Sequence, residues 1–197
     1  MLTSEQVKQF RQPTYNIEPC IINRWSPRSF SKDSIPEDTL LSIFEAARWA
    51  PSANNLQPWK FIFARTKEDL EKFYTFINPG NLEWCKNAPV LTLLLSKITR
   101  DDGSTNRTHS FDSGSAWGFL SLEAKNKGLA THAIGGFDRN IARDVLGIPD
   151  EYELEIVIAI GYQGEKEALP EHLQLREQPN TRKNLDEIIV EGTFTKD

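Results

Sequence analysis

This chain has little of what most sequence signatures of chemistry are built from. It carries two cysteines, Cys20 and Cys85, and three histidines, His109, His132 and His172. Two cysteines make no disulfide framework, and neither they nor the scattered histidines have zinc-ligand spacing, so no metal site is expected. No apolar run approaches the ~20 residues a membrane-spanning helix needs. The segment from Met1 to Phe10 mixes Glu5, Gln6 and Lys8 with apolar residues, unlike the apolar block of a secretory signal. The third glycine of a dinucleotide fingerprint is missing, and there is no P-loop. The formal net charge of −5 argues against general attraction to nucleic acid. These absences point to a cytoplasmic protein with neither membrane nor nucleic acid as partner.

What is present suits one globular domain. The chain has 197 residues, enough for a single core to bury most of its apolar surface. The spacing predicts a helix over 36–50, with Leu40, Ile43, Phe44 and Ala47 as its apolar stripe. Ser34 and Glu37 have the spacing of a capping box, and Pro51 stops the helix. A strand follows over 59–64, then a helix over 67–76 ended by Pro79-Gly80. Residues 89–96 are nearly all apolar, as in a central strand buried on both faces. A polar loop at 100–110 leads to a helix over 112–127, with Trp117, Leu120 and Ala124 on one stripe and Gly128 as its stop. A strand at 129–134, a helix at 139–146 and a buried strand at 154–161 complete the pattern. Helices alternate with strands, which predicts a layered α/β sheet. Beyond Glu165 the chain is charged and weakly periodic. Ile188, Ile189, Val190 and Phe194 still need burial there, and a partner subunit is one place for it.

Four clusters carry candidate chemistry. Arg24, Ser26 and Arg28 place two guanidiniums and a hydroxyl within five residues, a donor set that matches phosphate oxygens; the same residues also suit a solvated surface. A further basic pair, Arg182-Lys183, would strengthen this site if the tail folds back. Residues 51–59 read Pro-Ser-Ala-Asn-Asn-Leu-Gln-Pro-Trp. Asn54, Asn55 and Gln57 offer donors and acceptors without charge, which suits a flat, polar-edged ligand as well as it suits an Asn-rich turn. At 133–138 the run Ala-Ile-Gly-Gly-Phe-Asp lets backbone approach a ligand closely and leaves N–H groups free, or simply makes a turn. Asn81, after Pro79-Gly80 and before Trp84, reads as a turn residue or as one more amide at a ring edge. Cys85 with His109 or His132 as base lacks any local hydrolase pattern, and Cys85 reads as a small apolar side chain. His132 reads as a satisfied, partly buried histidine close to the third cluster.

The order of these clusters is more specific than any one of them. Arg-x-Ser-x-Arg-x-Phe, a helix, Pro-Ser-x-x-Asn-x-Gln-Pro-Trp, Asn before Ala-Pro, Gly-Leu then Gly-Gly-Phe-Asp, Ile-Gly-Tyr and a C-terminal basic pair together resemble the FMN-dependent nitroreductase family, over about Cys20 to Val190. The resemblance implies an α+β fold of three α/β/α layers, with a central, mostly antiparallel sheet and an intertwined homodimer. The whole chain, 1–197, would be one domain, with about 165–197 embracing the partner subunit. Arg24, Trp25, Ser26, Arg28, Arg182 and Lys183 would hold the phosphate and ribityl chain of FMN. Asn81, Ala133, Ile134, Gly135 and Gly136 would meet the flavin ring. Pro51, Ser52, Ala53 and Asn55 would be contributed by the partner subunit. Some relatives carry an acidic residue where this chain has Gly135. The resemblance further implies a ping-pong reaction with no catalytic side chain, in which NADH or NADPH reduces the flavin at N5 and a nitroaromatic, quinone or similar small-molecule acceptor reoxidises it. Relatives that dehalogenate reductively or break down the flavin, and a non-enzymatic flavin binder, are the alternatives.

Overall fold

A computed structural model of the protein describes residues 3–194. Met1, Leu2 and residues 195–197, the two ends of the expected domain, lie outside the described residues. The elements are α1 Ser4–Lys8, α2 Pro19–Asn23, α3 Glu37–Arg48, β1 Trp59–Ala64, α4 Lys67–Tyr74, α5 Pro79–Cys85, β2 Val90–Lys97, α6 His109–Asn126, β3 Ala130–Ile134, α7 Arg139–Leu146, β4 Tyr152–Gly161 and α8 Glu171–Gln174. The strands form one sheet in the order β1-β2-β4-β3, and every neighbouring pair is antiparallel. The fold is therefore α+β, with helices on both faces of an antiparallel sheet.

The near-continuous apolar run of β2 results from its place in the sheet. It lies between β1 and β4, and both its faces are covered. Leu91, Leu93 and Leu95 pack with Phe73, Trp84 and Val157 on one side. Val90 and Leu94 pack with Leu40, Ile43, Leu120 and Ile158 on the other. Burying each such leucine contributes about 1.5–3 kcal/mol, so the middle of the sheet is where the fold is held most firmly.

Helix boundaries show where local signals compete. The Ser34–Glu37 capping box does not form. Pro36 occupies the N-cap of α3 without a side-chain cap, so Ser34 lies too early in the chain to cap it, and Glu37 and Asp38 complement the helix N-terminus by charge. Pro79 does not end a helix but opens one, as the first residue of α5 behind the N-cap Asn78. A proline can terminate the helix on its N-terminal side or preorganise a new one on its C-terminal side, and here the second effect sets the structure. Asn81 is consequently helical. Gly128 and Gly147 take positive φ at the ends of α6 and α7, as C-terminal stops require.

Helix α6 is apolar on two sides. Ala116, Leu120 and Ala124 are buried against the sheet and α3, while Phe111 and Phe119 stand exposed on the other side, Phe111 at 78%. In the tail, Leu169 and Leu173 join the core. Ile188, Ile189, Val190 and Phe194 remain exposed within the single chain.

Candidate functional site

Three segments far apart in sequence converge beyond the sheet. Helix α2 ends at Asn23, and Arg24 leaves it in extended backbone. The stretch from Arg24 to Phe30 then runs to an isolated bridge between Phe30 and Gln163. Glu177 locks it in place. Its buried carboxylate accepts the backbone N–H of Arg28 at 2.9 Å and of Ser29 at 3.0 Å. That contact brings the tail back onto the 24–28 segment. A cleft of about 490 Å³ results, lined by Arg11, Arg24, Ser26, Arg28, His132, Arg176 and Arg182 among others. Its side chains supply five guanidiniums and no carboxylate.

Burial first, and neighbouring cations second, weaken the hold of Arg11, Arg24 and Arg28 on their protons. Burial and then the charge of Arg182 lower the pKa of Arg24. Burial and then Arg176 lower that of Arg28, with Glu177 opposing. Arg11 falls to about 10, through burial, then Arg182 and Arg24. A wall of one charge sign, part of it buried, is what a phosphate dianion needs.

His132, on β3, forms the floor. Its Nδ1 lies 2.9 Å from the carbonyl oxygen of Pro27, so Nδ1 carries the proton. The ring sits 4.4 Å from the Trp84 ring. Burial, reinforced by Arg28 and Arg24, lowers its pKa to about 4 against two opposing backbone hydrogen bonds. The imidazole is therefore neutral at pH 7.

From His132 the chain continues through Ala133 and Ile134 to Gly135 and Gly136. There Asn81, on the first turn of α5, donates its Nδ2 to the Gly136 carbonyl at 3.2 Å. The Asn78 N–H donates to the same oxygen at 3.1 Å. The close approach depends on the glycine: a Cβ on Gly136 would stand 2.6 Å from Asn81 Nδ2 and push that amide aside. The third and fourth clusters of the sequence are thus one structural unit, and β3 joins it to the arginine cleft.

The loop 51–59 lies elsewhere. Pro51, Ser52, Ala53 and Asn55 do not line the arginine cleft. Ala53–Asn55 forms a single 3-10 turn, and Asn54, Asn55 and Gln57 all take left-handed φ, between 47° and 56°. Asparagine tolerates this region better than most residues. Ser52 Oγ accepts the Gln57 N–H at 3.0 Å, and the Asn55 carbonyl accepts Gln57 Nε2 at 3.0 Å. Asn54 and Asn55 are exposed, so the loop presents its amides outward. Lys183 lines an adjoining, more apolar cavity of about 870 Å³, together with Tyr15, Ile21, Trp117 and Leu185, and this cavity shares Arg11, Arg24 and Arg182 with the arginine cleft. Trp25 is buried and does not line the arginine cleft.

The hydrolytic alternatives have no structural basis. Cys85 is fully buried, and burial pushes its thiol up to about 12. Both cysteines are free thiols. His109 Nδ1 is hydrogen-bonded to Ser96 Oγ at 2.7 Å. Among the described residues, no group of three or more His, Cys, Asp or Glu side chains could hold a metal. No helix among them is long and apolar enough to cross a membrane.

Sequence reasoning missed Arg11, Arg176, Glu177 and Asp112. Asp112 belongs with the 51–59 loop, whose Ala53 N–H it accepts. None of the four lies in a motif, because each acts through a contact with a segment distant in sequence.

A model of the nitroreductase family matches residues 21–83 and 76–162. A protein of Thermus thermophilus named NADH dehydrogenase is 28% identical over 195 residues, spanning 81% of this chain and 92% of that one. A solved structure described as an oxidoreductase containing FMN is 39% identical, with a TM-score of 0.91 over 95% of this chain and 97% of the other. A nitroreductase family protein from Clostridium difficile, 24% identical, shares the fold with a TM-score of 0.70 over 89% of this chain and 97% of its own.

Proposed function

The chain belongs to the nitroreductase family, and from that premise we propose that it is an FMN-dependent oxidoreductase, oxidising NADH or NADPH and reducing nitroaromatic, quinone or similar small-molecule acceptors. The observation that carries this reading is the pairing, along β3, of a five-guanidinium cleft with the Asn81–Gly136 unit. One end has the donors for a phosphate monoester, and the other has an amide and close backbone for a polar ring edge. His132 and Gly136 are four residues apart, up to about 13 Å at ~3.3 Å per residue, which suits one elongated ligand.

In this reading Arg24, Ser26, Arg28 and Arg182 hold the phosphate, with Lys183 adding charge nearby. Trp25 sets the course of the segment from the core. Asn81 and the backbone of Ala133, Ile134, Gly135 and Gly136 orient the ring. His132, neutral at pH 7, adds no charge beneath the cations. When bound, FMN supplies the electron-transfer chemistry, so no protein acid or base is assigned a catalytic role. Donor and acceptor take turns in one pocket, which makes the kinetics ping-pong.

The protein works as a homodimer in this reading. Pro51, Ser52, Ala53 and Asn55 complete the site of the partner subunit. The exposed Phe111 and Phe119 of α6 and the exposed Ile188, Ile189 and Phe194 of the tail support this, because a monomer gains nothing from leaving such residues in water. The chain is then one domain whose segment from about 165 onward wraps the partner. Two free thiols suit the reducing cytoplasm.

The test is direct. Purified protein supplemented with FMN should show flavin absorbance, bleach when mixed anaerobically with NADH or NADPH, and recover on addition of a quinone. Absence of bound flavin would remove the reading. Bound flavin that neither donor bleaches would favour reductive dehalogenation, flavin breakdown or plain flavin binding.

A further inference from the structure

Arg11 lies outside every motif of the sequence and outside the residues matched by the family model. It is nevertheless only 8% exposed. Its Nε donates to the Asn180 carbonyl at 3.0 Å. Its Nη1 donates to the carbonyls of Ile22 at 3.0 Å and Arg24 at 2.7 Å. One guanidinium therefore ties together the N-terminal segment, the end of α2 and the tail, two residues before Arg182.

Its charge has no counterion among the described residues. Among the described residues no carboxylate pairs with Arg11, and the neighbours that act on it are two more cations, Arg182 and Arg24. Burying a cation beside like charges is unfavourable, and a bound dianion removes the penalty. The guanidinium also has capacity left for one. Of its five N–H donors, three are taken by the carbonyls. The two on Nη2 make no hydrogen bond to the described protein, and Arg11 lines the cleft.

We propose that Arg11 is an unassigned member of the phosphate site. It offers its Nη2 edge to the anion and, through Asn180, holds Arg182 beside Arg24. Filling the site with phosphate and docking the tail then become one coupled event. The inference rests on the flavin reading for the identity of the anion, a phosphate monoester.

The test compares FMN with riboflavin, which lacks the phosphate, in wild type and Arg11→Lys. Lysine keeps the charge but cannot bridge three carbonyls as a planar fork does. FMN affinity of the variant should fall about tenfold or more, the effect of losing a charge-assisted hydrogen bond, while riboflavin affinity stays at the wild-type value. Unchanged FMN affinity, or an equal loss for riboflavin, overturns the proposal. Hydrogen exchange on the wild type tests it without any variant. Inorganic phosphate should slow exchange at residues 9–12 and 178–184 together, and protection confined to 24–28 counts against Arg11. A wild type that binds no FMN sinks the functional reading. One that binds FMN while Arg11→Lys binds it equally well sinks only this inference.

Discussion

The carboxylate of Asp112, in the first turn of α6, accepts the backbone N–H of Ala53 at 3.2 Å. It also accepts the Thr108 hydroxyl at 2.9 Å and is 2% exposed. The loop it holds contains three non-glycine residues in the left-handed region, a conformation costing about 1 kcal/mol or more for each. Asp112→Ala should destabilise the protein by about 1–2 kcal/mol, because two half-buried donors lose their acceptor. Asp112→Asn keeps an acceptor oxygen and should recover most of that loss. Urea midpoints read both, and an unchanged midpoint for Asp112→Ala would mean that the loop maintains itself.

The two adjacent glycines should respond differently to the same change. A methyl at Gly136 falls 2.6 Å from Asn81 Nδ2, whereas nothing lies within 4 Å of one at Gly135. Gly136→Ala should displace the Asn81 amide from its carbonyl and weaken FMN binding by about tenfold, a contribution typical of one hydrogen bond. Gly135→Ala should bind FMN as wild type does. Titration of apoprotein followed by flavin fluorescence measures both, and equal affinities would take Asn81 out of the site.

His132 should make stability fall on acidification in a defined window. Its folded pKa is about 4 against an ordinary 6.5. Between these values the unfolded chain binds a proton that the folded chain refuses, so stability is full above pH 6.5 and drains away as pH falls toward 4. The loss amounts to up to about 3 kcal/mol. His132→Phe keeps a ring against Trp84 but cannot titrate. Its unfolding free energy should change less between pH 7 and pH 4.5 than that of wild type, and parallel pH profiles for the two proteins would assign the acid sensitivity elsewhere.

Dimer formation and flavin binding should be lost together. Phe111 at 78% and Ile189 at 61% exposure lie on α6 and on the tail. An aspartate at either position places a charge where the proposed partner packs. Sedimentation velocity should show Phe111→Asp and Ile189→Asp shifted toward monomer, with FMN released in the same concentration range. A monomer that retained FMN would separate the two properties.

Much of this architecture was legible in the chain. The leucines of β2 announced a strand covered on both faces, and the stripe of Leu40, Ile43 and Ala47 announced α3, because burial imposes its period on the residues themselves. Terminators were harder to read. Pro79 carries the same mark whether it closes one helix or opens the next, and only the packing of Trp84 and Cys85 into the core shows that α5 exists. Strand direction was not legible in the periodicity, since alternating helices and strands fit a parallel sheet as well as an antiparallel one; only the family resemblance implied the antiparallel sheet that formed.

The same division runs through the site. Sequence alone determined the chemical inventory: guanidiniums and a hydroxyl at 24–28, neutral amides at 54–57, glycines at 135 and 136. Local propensity and side-chain chemistry are properties of neighbouring residues, and they can be read in order along the chain. Tertiary structure alone decided which of these meet. Glu177 reaches back 149 residues to the N–H of Arg28, and Arg11 reaches forward 169 residues to the carbonyl of Asn180. Such contacts form only once the core has brought distant backbone together, and a single carboxylate or guanidinium carries no sequence mark of the backbone group it will find. The cationic cleft is therefore written in the composition of the chain but assembled by its fold.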